Sequence, residues 1–224
     1  MKKNYHILIV DDHPLITAAY TMGLAQIEAE STYRFQTVVT HRLEEAASEL
    51  GQFSNAHPLD LLVVDLKLPP SPDESLLSGE DLALLAKNRF PKLKVMIATT
   101  YNNSYRIHHL VKRLNPEGFL VKNDITPKLL NRALREVIEA PPFFSKTIIK
   151  ALSNYVVSDF KIDKIDRELL YHLSLNTKTK ELVKILPLSR AGVERRKKYL
   201  KEIFCSHGHT DKDLIEIVKE LGII

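Results

Sequence analysis

The sequence predicts an α/β protein, in which a doubly wound, five-stranded parallel sheet is followed by a small all-helical domain. Two patterns support this prediction. Over residues 1–140, short apolar runs alternate with segments whose apolar residues recur every three or four positions, as in proteins with a parallel sheet. After residue 162 only the helical spacing continues. We therefore expect domains at 1–140 and 163–224, joined by a linker with a connector helix over 141–162.

The elements of the first part are expected in strict alternation. Strands are predicted at 6–10, 35–39, 61–64, 95–98 and 118–121, because each is a short apolar run. Helices are predicted from Pro14, over 43–50, from Gly79 to before Pro91, around 107–114 and over 126–139. The first helix is expected to face the core with Leu15, Ala18, Ala19, Met22 and Ala25, and the third with Leu82, Leu85 and Ala86.

Composition and charge restrict the class of protein. The chain has 224 residues and 44% hydrophobic content, which is enough for two buried cores. No apolar run approaches the roughly 20 residues of a membrane span, and the single Cys205 excludes an internal disulfide, so we expect a cytoplasmic protein. Lys and Arg number 16 against 17 Asp and Glu over 1–140, but 16 against 11 over 141–224. This excess suggests a polyanionic partner for the second part, although a solvated surface explains it equally well.

Polar side chains follow four of the five predicted strands at the point where each strand ends. Asp11 and Asp12 follow the first strand, Asp65 the third, Thr99 the fourth and Lys122 the fifth. The carboxyl ends of parallel strands line the crevice where ligands bind. Singly, such an Asp is more often a turn former and such a Lys is more often solvated. Together they supply oxygen ligands for Mg²⁺ and two donors for phosphoryl oxygens, which suits phosphoryl transfer to a carboxylate.

In order and context these residues resemble the receiver domain of two-component response regulators, a flavodoxin-like fold, over about residues 4–140. The resemblance implies that Asp65 accepts a phosphoryl group from a histidine kinase. It also implies that Mg²⁺ is held by Asp11 or Asp12, by Asp65 and by the backbone carbonyl of Lys67.

The same resemblance implies a switch. Thr99 and Lys122 would bind the phosphoryl oxygens, and Phe119 would change rotamer as Thr99 moves. The charge of a phosphoryl group, nearly −2, makes such a movement physically reasonable. From the residues alone, Phe119 is also simply a core side chain.

One segment departs from the family pattern. The family usually has a glycine eight residues after the phosphoacceptor, whereas Gly79 lies 14 residues after Asp65. About six residues are therefore inserted in the loop over 66–79. We expect the chemistry to be retained, with kinase access or phosphoryl lifetime altered. Lys67 and Tyr101 also resemble the family's rate-tuning positions, so the lifetime stays open.

The last part of the sequence predicts four short helices in a compact bundle. Residues 186–189 form a tight turn between the second and third helices, and Ser189 is a natural N-cap there. A helix-turn-helix is therefore expected. The four apolar stripes consist of Ile165, Leu169, Leu170 and Leu173; of Leu182, Val183 and Leu186; of Val193, Leu200, Ile203 and Phe204; and of Leu214, Ile217, Val218 and Leu221.

The helix after this turn is strongly basic. Residues 190–202 contain six Lys or Arg and two Glu. A charged helix is often only a solvated face, but a basic helix directly after such a turn is where helix-turn-helix proteins contact DNA. We expect contacts with double-stranded DNA from Arg190, Glu194, Arg195, Lys197, Lys198 and Lys201.

Residues 163–224 resemble the LuxR-type helix-turn-helix domain that follows receivers in the NarL/FixJ class. Family contacts fall on positions matching Glu194, Arg195 and Lys198. Where the family commonly has Thr-Val-Lys-x-His, residues 192–196 are Gly-Val-Glu-Arg-Arg, which leaves the target sequence open. The resemblance also implies that the last helix supports a homodimer on two half-sites.

The leading hypothesis is a transcription factor controlled by phosphorylation of Asp65, which is not an enzyme beyond its own phosphoryl transfer. The alternative is a phosphorylation-dependent adaptor whose helical domain binds protein. A Mg²⁺-dependent phosphatase shares the carboxylate chemistry but lacks an evident substrate pocket. Cys205, His207 and His209 lie within five residues, yet a zinc site needs a fourth ligand and wider spacing, so an ordinary loop is expected there.

Overall fold

A computed structural model describes residues 3–54, 56–100, 103–157, 162–204, 210–220 and 223–224. The chain divides into two compact units, residues 1–102 with 110–151 and residues 103–109 with 152–224. The predicted domain limits at 140 and 163 stay predictions. The helices within the described residues include none that is long and apolar enough to cross a membrane.

The first unit is built on a parallel sheet. Over the described residues it has six strands in the order β2-β1-β3-β4-β5-β6. The strands are β1 Lys3–Val10, β2 Tyr33–Thr40, β3 Leu61–Val64, β4 Lys94–Thr99, β5 Gly118–Val121 and β6 Phe143–Phe144. Every residue of β3 and β5 is buried, as expected for strands covered on both faces. The predicted doubly wound fold class is confirmed, but the count of five strands was one short.

Helices connect the strands of this sheet in the predicted alternation. They are α1 Pro14–Glu30, α2 Leu43–Gln52, α3 Gly79–Arg89, α4 Ser104–Leu114 and α5 Pro127–Glu139, followed by α6 Lys146–Val157. One core cluster joins α1 and α5 to the sheet, with Tyr20, Leu24, Leu130 and Leu134 among its buried side chains. A 3₁₀ turn, Lys122–Asp124, leads from β5 towards α5.

The sixth strand lies in the segment predicted to be a linker. Phe143 pairs with Gly118 and Phe144 with Phe119 of β5. Two residues give no periodicity, and the two preceding prolines indicated only a break. The pairing therefore depends on the neighbouring edge of β5 rather than on any local pattern.

The predicted inward face of α1 was wrong except at Ala19, which is partly buried and packs against the core. Leu15 is 87% exposed and Met22 is 74% exposed, and Ala18 and Ala25 are exposed as well. The helix buries a different face instead, made by Thr17, Tyr20, Gly23, Leu24 and Ile27. In α3, Leu85 is likewise exposed and Ala83 is buried in its place. Both helices carry two apolar stripes, and the local spacing alone does not say which one meets the sheet.

The second unit contains the helices α7 Lys164–Ser174, α8 Thr179–Ile185, α9 Arg190–Phe204 and α10 Asp211–Glu220. Its core cluster includes Leu169, Leu182, Val193, Leu200 and Leu214, so the predicted stripes do meet. The predicted stripe residues Ile203 and Leu221 fall outside the side chains that the structure describes.

The predicted helix-turn-helix is present as α8, a turn over 186–189 and α9. Leu188 N donates a hydrogen bond to Leu186 O at 2.7 Å within the turn. Ser189 Oγ accepts a hydrogen bond from Gly192 N at 3.1 Å. Ser189 therefore caps α9 as predicted, since a side-chain oxygen satisfies an otherwise unpaired N–H of the first turn.

Candidate functional site

The polar residues at the strand ends meet at one edge of the sheet. Strands β1, β3, β4 and β5 are successive neighbours. Val10 pairs with Val64, and Asp65 N donates a hydrogen bond to Val10 O at 2.9 Å, so Asp11 and Asp65 leave the sheet at the same level. The parallel register thus brings together residues that lie more than 50 positions apart in the chain.

An ammonium group joins two buried carboxylates at this edge. Lys122 Nζ donates hydrogen bonds to Asp65 Oδ2 at 2.6 Å and to Asp11 Oδ1 at 2.8 Å. The side chains of Lys122, Asp65 and Asp11 are only 7%, 2% and 1% exposed. Lys67 N donates to the other oxygen of Asp65, Oδ1, at 3.0 Å. Both oxygens of the predicted phosphoacceptor therefore have a donor before any ligand binds.

The pKa of Lys122 is raised above its usual value. Burial of the ammonium works to lower the pKa, but the hydrogen bonds to Asp11 and Asp65 and their negative charges outweigh the burial. Because the pKa of Lys122 is raised, the contribution of its ion pairs to the stability of the fold is fully present at neutral pH and is lost only in strongly alkaline solution. Lys122 therefore stays cationic wherever the proposed chemistry would run.

The acidic groups at this edge suit a divalent cation. One ligand atom from each of Asp11, Asp12, His13 and Asp65 lies within 4.8 Å of the other three. Asp11 Oδ2 is buried and accepts no hydrogen bond among the described residues, although it forms an ion pair with Lys122 Nζ at 2.8 Å. Mg²⁺ prefers oxygen ligands and is usually held by one or two carboxylates together with water. The carboxylates of this cluster therefore fit the predicted ion.

Sequence reasoning missed His13 as a member of this cluster. Its Nδ1 lies 2.6 Å from Asp12 Oδ1 and 3.3 Å from Asp11 Oδ1, and its backbone N donates to Asp11 Oδ1 at 3.0 Å. The available signal was its position directly after two acids. The predicted carbonyl ligand of Lys67 stays a prediction; the hydrogen bond from Lys67 N places this part of the main chain beside Asp65.

The two predicted switch residues are both fully buried. Thr99, at the end of β4, and Phe119, in β5, are each 0% exposed. The Phe119 ring makes an edge-to-face contact with Phe144 of β6, with centroids 6.4 Å apart. Thr99 therefore reaches the correct edge of the sheet, and Phe119 occupies the core position that its alternative interpretation gave it. The switching roles stay predictions.

Gly79 is where the inserted loop returns to the site. A Cβ atom added there would lie 1.9 Å from Asp65 O, far inside any allowed contact. The loop itself is closed by hydrogen bonds: Ser71 and Ser75 each donate through Oγ to Asp73 Oδ1, at 2.6 and 2.8 Å. These hydrogen bonds hold the pKa of Asp73 at about 2. Gly79, at the end of the insertion, therefore lies directly against the backbone of Asp65, the predicted phosphoacceptor.

In the second unit, some charged residues of the basic helix α9 are exposed, whereas others pair with acids of neighbouring helices. Arg190, Glu194, Arg195 and Lys198 are exposed, and Thr179 Oγ1 donates a hydrogen bond to Glu194 Oε1 at 3.0 Å. Arg196 instead pairs with acids of the α7 N-terminus. The first group therefore forms a surface that a ligand can reach.

Two of the predicted DNA contacts face α10. Lys197 Nζ lies 2.5 Å from Asp211 Oδ2, and Lys201 Nζ lies 2.6 Å from Asp211 Oδ1. Lys197 is buried. Burial works to raise the pKa of Asp211, but the hydrogen bonds from the two lysines outweigh it and the pKa is lowered. Lysines paired in this way attract phosphates only weakly. Lys197 is therefore no longer expected to contact DNA, and Lys201 is expected to contribute little to DNA binding.

The chain is similar in sequence to curated transcriptional regulators. It is 26% identical over 151 residues to the transcriptional regulatory protein RcsB of Salmonella typhi, a match that covers 66% of this chain and 63% of that protein. The same identity and coverage hold for RcsB of Escherichia coli strain K12. This chain is therefore similar to RcsB, which is described as a two-component response regulator. The similarity spans less than two thirds of the length of these relatives, and no family model matches the chain.

Solved structures share the fold over nearly the whole chain. A complex of the two-component response regulator RcsB with DNA superposes with a TM-score of 0.73 at 21% identity, covering 97% of this chain and 98% of that one. The isolated REC domain of RcsB from Salmonella enterica serovar Typhimurium, determined with the phosphomimetic BeF₃⁻, covers 67% of this chain with a TM-score of 0.55. The receiver-like and helical parts therefore occur together in a known architecture.

Proposed function

We propose that this chain is a response-regulator transcription factor in which phosphorylation of Asp65 controls DNA binding by the helix-turn-helix around α9. The observation that carries the proposal is the buried Lys122 ammonium, which bridges Asp65 and Asp11 beside a cluster of cation-binding oxygens. RcsB, which shares the fold, is described in complex with DNA and with a phosphomimetic. The proposal places the protein in the cytoplasm, with a histidine kinase and duplex DNA as its partners.

In the proposed transfer, one oxygen of the Asp65 carboxylate attacks the phosphorus of a phosphohistidine on the kinase. The P–N bond breaks as the P–O bond forms, and the released imidazole takes up a proton. Asp11, Asp12 and Asp65 would hold Mg²⁺, which supplies positive charge to the phosphoryl oxygens when bound. Lys122 and the hydroxyl of Thr99 would donate hydrogen bonds to the same oxygens.

The charged environment of Asp65 supports its proposed role as the acceptor. Lys122 is buried and charged beside Asp65, so its ammonium is available to stabilise the developing phosphoryl charge. The chain's own residues thus favour the transfer.

The proposed control of DNA binding is tested by selecting duplex targets from a random pool with the full-length protein. We expect a small-molecule phosphodonor with Mg²⁺ to tighten binding to the selected duplex by about 5- to 100-fold, the usual range of coupling between two sites. Fluorescence anisotropy measures the affinity, and sedimentation measures whether a homodimer forms. Failure to bind any duplex at low salt would favour the adaptor alternative instead.

Within this interface, Arg195 and Lys198 are predicted to differ in role. Lys198→Ala is expected to weaken binding to all sequences and to reduce the slope of log affinity against log salt by about 0.9 per lost phosphate contact. Arg195→Ala is expected to relax preference at one base step, at a cost of about 1 to 3 kcal/mol for the preferred base. Salt titrations on the preferred duplex and on duplexes with one base pair substituted distinguish the role of Arg195 from that of Lys198. Lys164→Ala, on α7, is the matched control, because Lys164 pairs with a Glu four residues on, as Lys198 does, but lies outside the proposed contacts. An unchanged sequence preference in Arg195→Ala would exclude base recognition by that residue.

A further inference from the structure

The sixth strand is tied directly to the proposed switch residue. Phe143 N donates a hydrogen bond to Glu117 O and Ser145 N donates one to Phe119 O, both at 2.9 Å. The Phe144 ring packs edge-to-face on the Phe119 ring at an interplanar angle of 86°. Any rotation of the Phe119 side chain therefore removes a contact of Phe144, because protein interiors leave little free volume for independent movement.

A second contact joins Ser145 to the turn that carries Lys122. Ser145 Oγ donates a hydrogen bond to Asp124 Oδ2 at 3.0 Å, and Ser145 is 1% exposed. Lys122–Asp124 is a single 3₁₀ turn, in which Ile125 N donates to Lys122 O at 3.1 Å. So short a turn cannot move at Lys122 without moving at Asp124. A shift of the Lys122 backbone would therefore alter the hydrogen bond between Ser145 Oγ and Asp124 Oδ2.

Ser145 is also the residue that precedes α6. Ile149 N donates a hydrogen bond to Ser145 O at 3.0 Å, which closes the first turn of that helix. One buried residue therefore makes three hydrogen bonds: to the strand of Phe119, to the turn of Lys122 and to the start of α6. The first unit ends at Ala151, within α6. The start of α6 therefore lies on the covalent connection that leads out of the first unit.

Phosphorylation would disturb both partners of Ser145. Lys122 Nζ is bonded to Asp65 Oδ2, and a phosphoryl group on Asp65 replaces carboxylate charge with phosphoryl charge placed further from the sheet. The ammonium would follow that charge, and the 3₁₀ turn would shift with it. A contact whose energy differs between two states couples them, and that coupling acts in both directions.

We propose that Ser145 is a positioning residue that couples the Lys122 turn to the start of α6, so that β6 and Ser145 transmit the phosphorylation state of Asp65 to the connector helix. The inference rests on the proposed function, because it needs Asp65 to be phosphorylated. It assigns regulation to a segment whose sequence indicated only a linker.

Hydrogen exchange on the full-length protein tests this coupling. Phosphodonor and Mg²⁺ are expected to change the exchange rates of wild-type peptides spanning 143–151 by about 5-fold or more, as a coupling of roughly 1 kcal/mol implies. In Ser145→Ala the change is expected to be lost, with full labelling of Asp65 retained. Asp124→Ala removes the other partner and should give the same result, and the double variant should add nothing further.

Two further variants serve as controls. Thr147→Ala removes a hydroxyl from the same helix and Asp124→Asn keeps an oxygen acceptor for Ser145; both should retain the wild-type response. If Ser145→Ala keeps the response, or if labelled wild-type protein shows no change over 143–151, the inference is overturned and the proposed function stands. If the wild-type protein is never labelled, the proposed function fails and the inference with it.

Discussion

An Asp65→Asn protein given a small-molecule phosphodonor and Mg²⁺ is expected to incorporate no phosphoryl label above background, whereas the wild-type protein becomes labelled at one site. An amide oxygen carries no negative charge and is a far weaker nucleophile than a carboxylate. Intact-protein mass spectrometry measures the label, which adds the mass of one phosphoryl group.

Asp60→Asn is the matched control for this experiment. Asp60 precedes β3 at the opposite end of the same strand and accepts a hydrogen bond from His6 N at 2.8 Å. The control should be labelled like the wild-type protein. Full labelling of Asp65→Asn, or no labelling of the wild-type protein, would remove the basis of the proposed function.

A Gly79→Ala protein is expected to lose about 2 to 4 kcal/mol of stability, at the upper end of what overpacking costs. The added Cβ would lie 1.9 Å from Asp65 O and 2.9 Å from Val64 Cγ2. Relief requires the start of α3 or the end of β3 to move, because Asp65 O is a backbone atom and the Val64 side chain is short, β-branched and buried. Because Asp65 is the residue displaced, slower labelling should accompany the loss of stability.

Gly51→Ala provides the opposite control. Gly51 lies in α2, and an added Cβ there would meet no atom within 4 Å. Alanine is better than glycine inside a helix by about 0.5 to 1 kcal/mol, so this variant should be slightly more stable than the wild-type protein. Urea denaturation followed by circular dichroism measures both variants. Equal stability of Gly79→Ala and wild type would contradict the close approach of Gly79 to Asp65.

The constellation around Asp65 could be predicted because parallel strands bring their carboxyl ends to one edge. Each strand was recognisable as a short apolar run, so the residue after each run could be assigned to the site without knowledge of distances. The acidic residues and Lys122 were assigned correctly to this edge for that reason. The insertion before Gly79 could also be seen, since the separation from Asp65 is a count along the chain.

Other features could not be predicted because they depend on neighbours that are distant in sequence. Which of two apolar stripes α1 buries is decided by the sheet and by α5, so Leu15 and Met22 were placed on the wrong side. Five cations on α9 were predicted to contact DNA, yet Lys197 is paired with Asp211 of the following helix. His13 belongs to the acidic cluster through its ring position, which no spacing rule provides.

The sequence by itself determined the fold class, the strand ends that carry chemistry and the helix-turn-helix, since these follow from local periodicity, helix capping and the order of charged residues. Only the tertiary structure decided which helix faces are buried, which cations on α9 remain available and that a sixth strand joins the sheet. The physical reason is that burial and charge pairing are properties of two surfaces in contact. A single segment, read along the chain, contains only one of them.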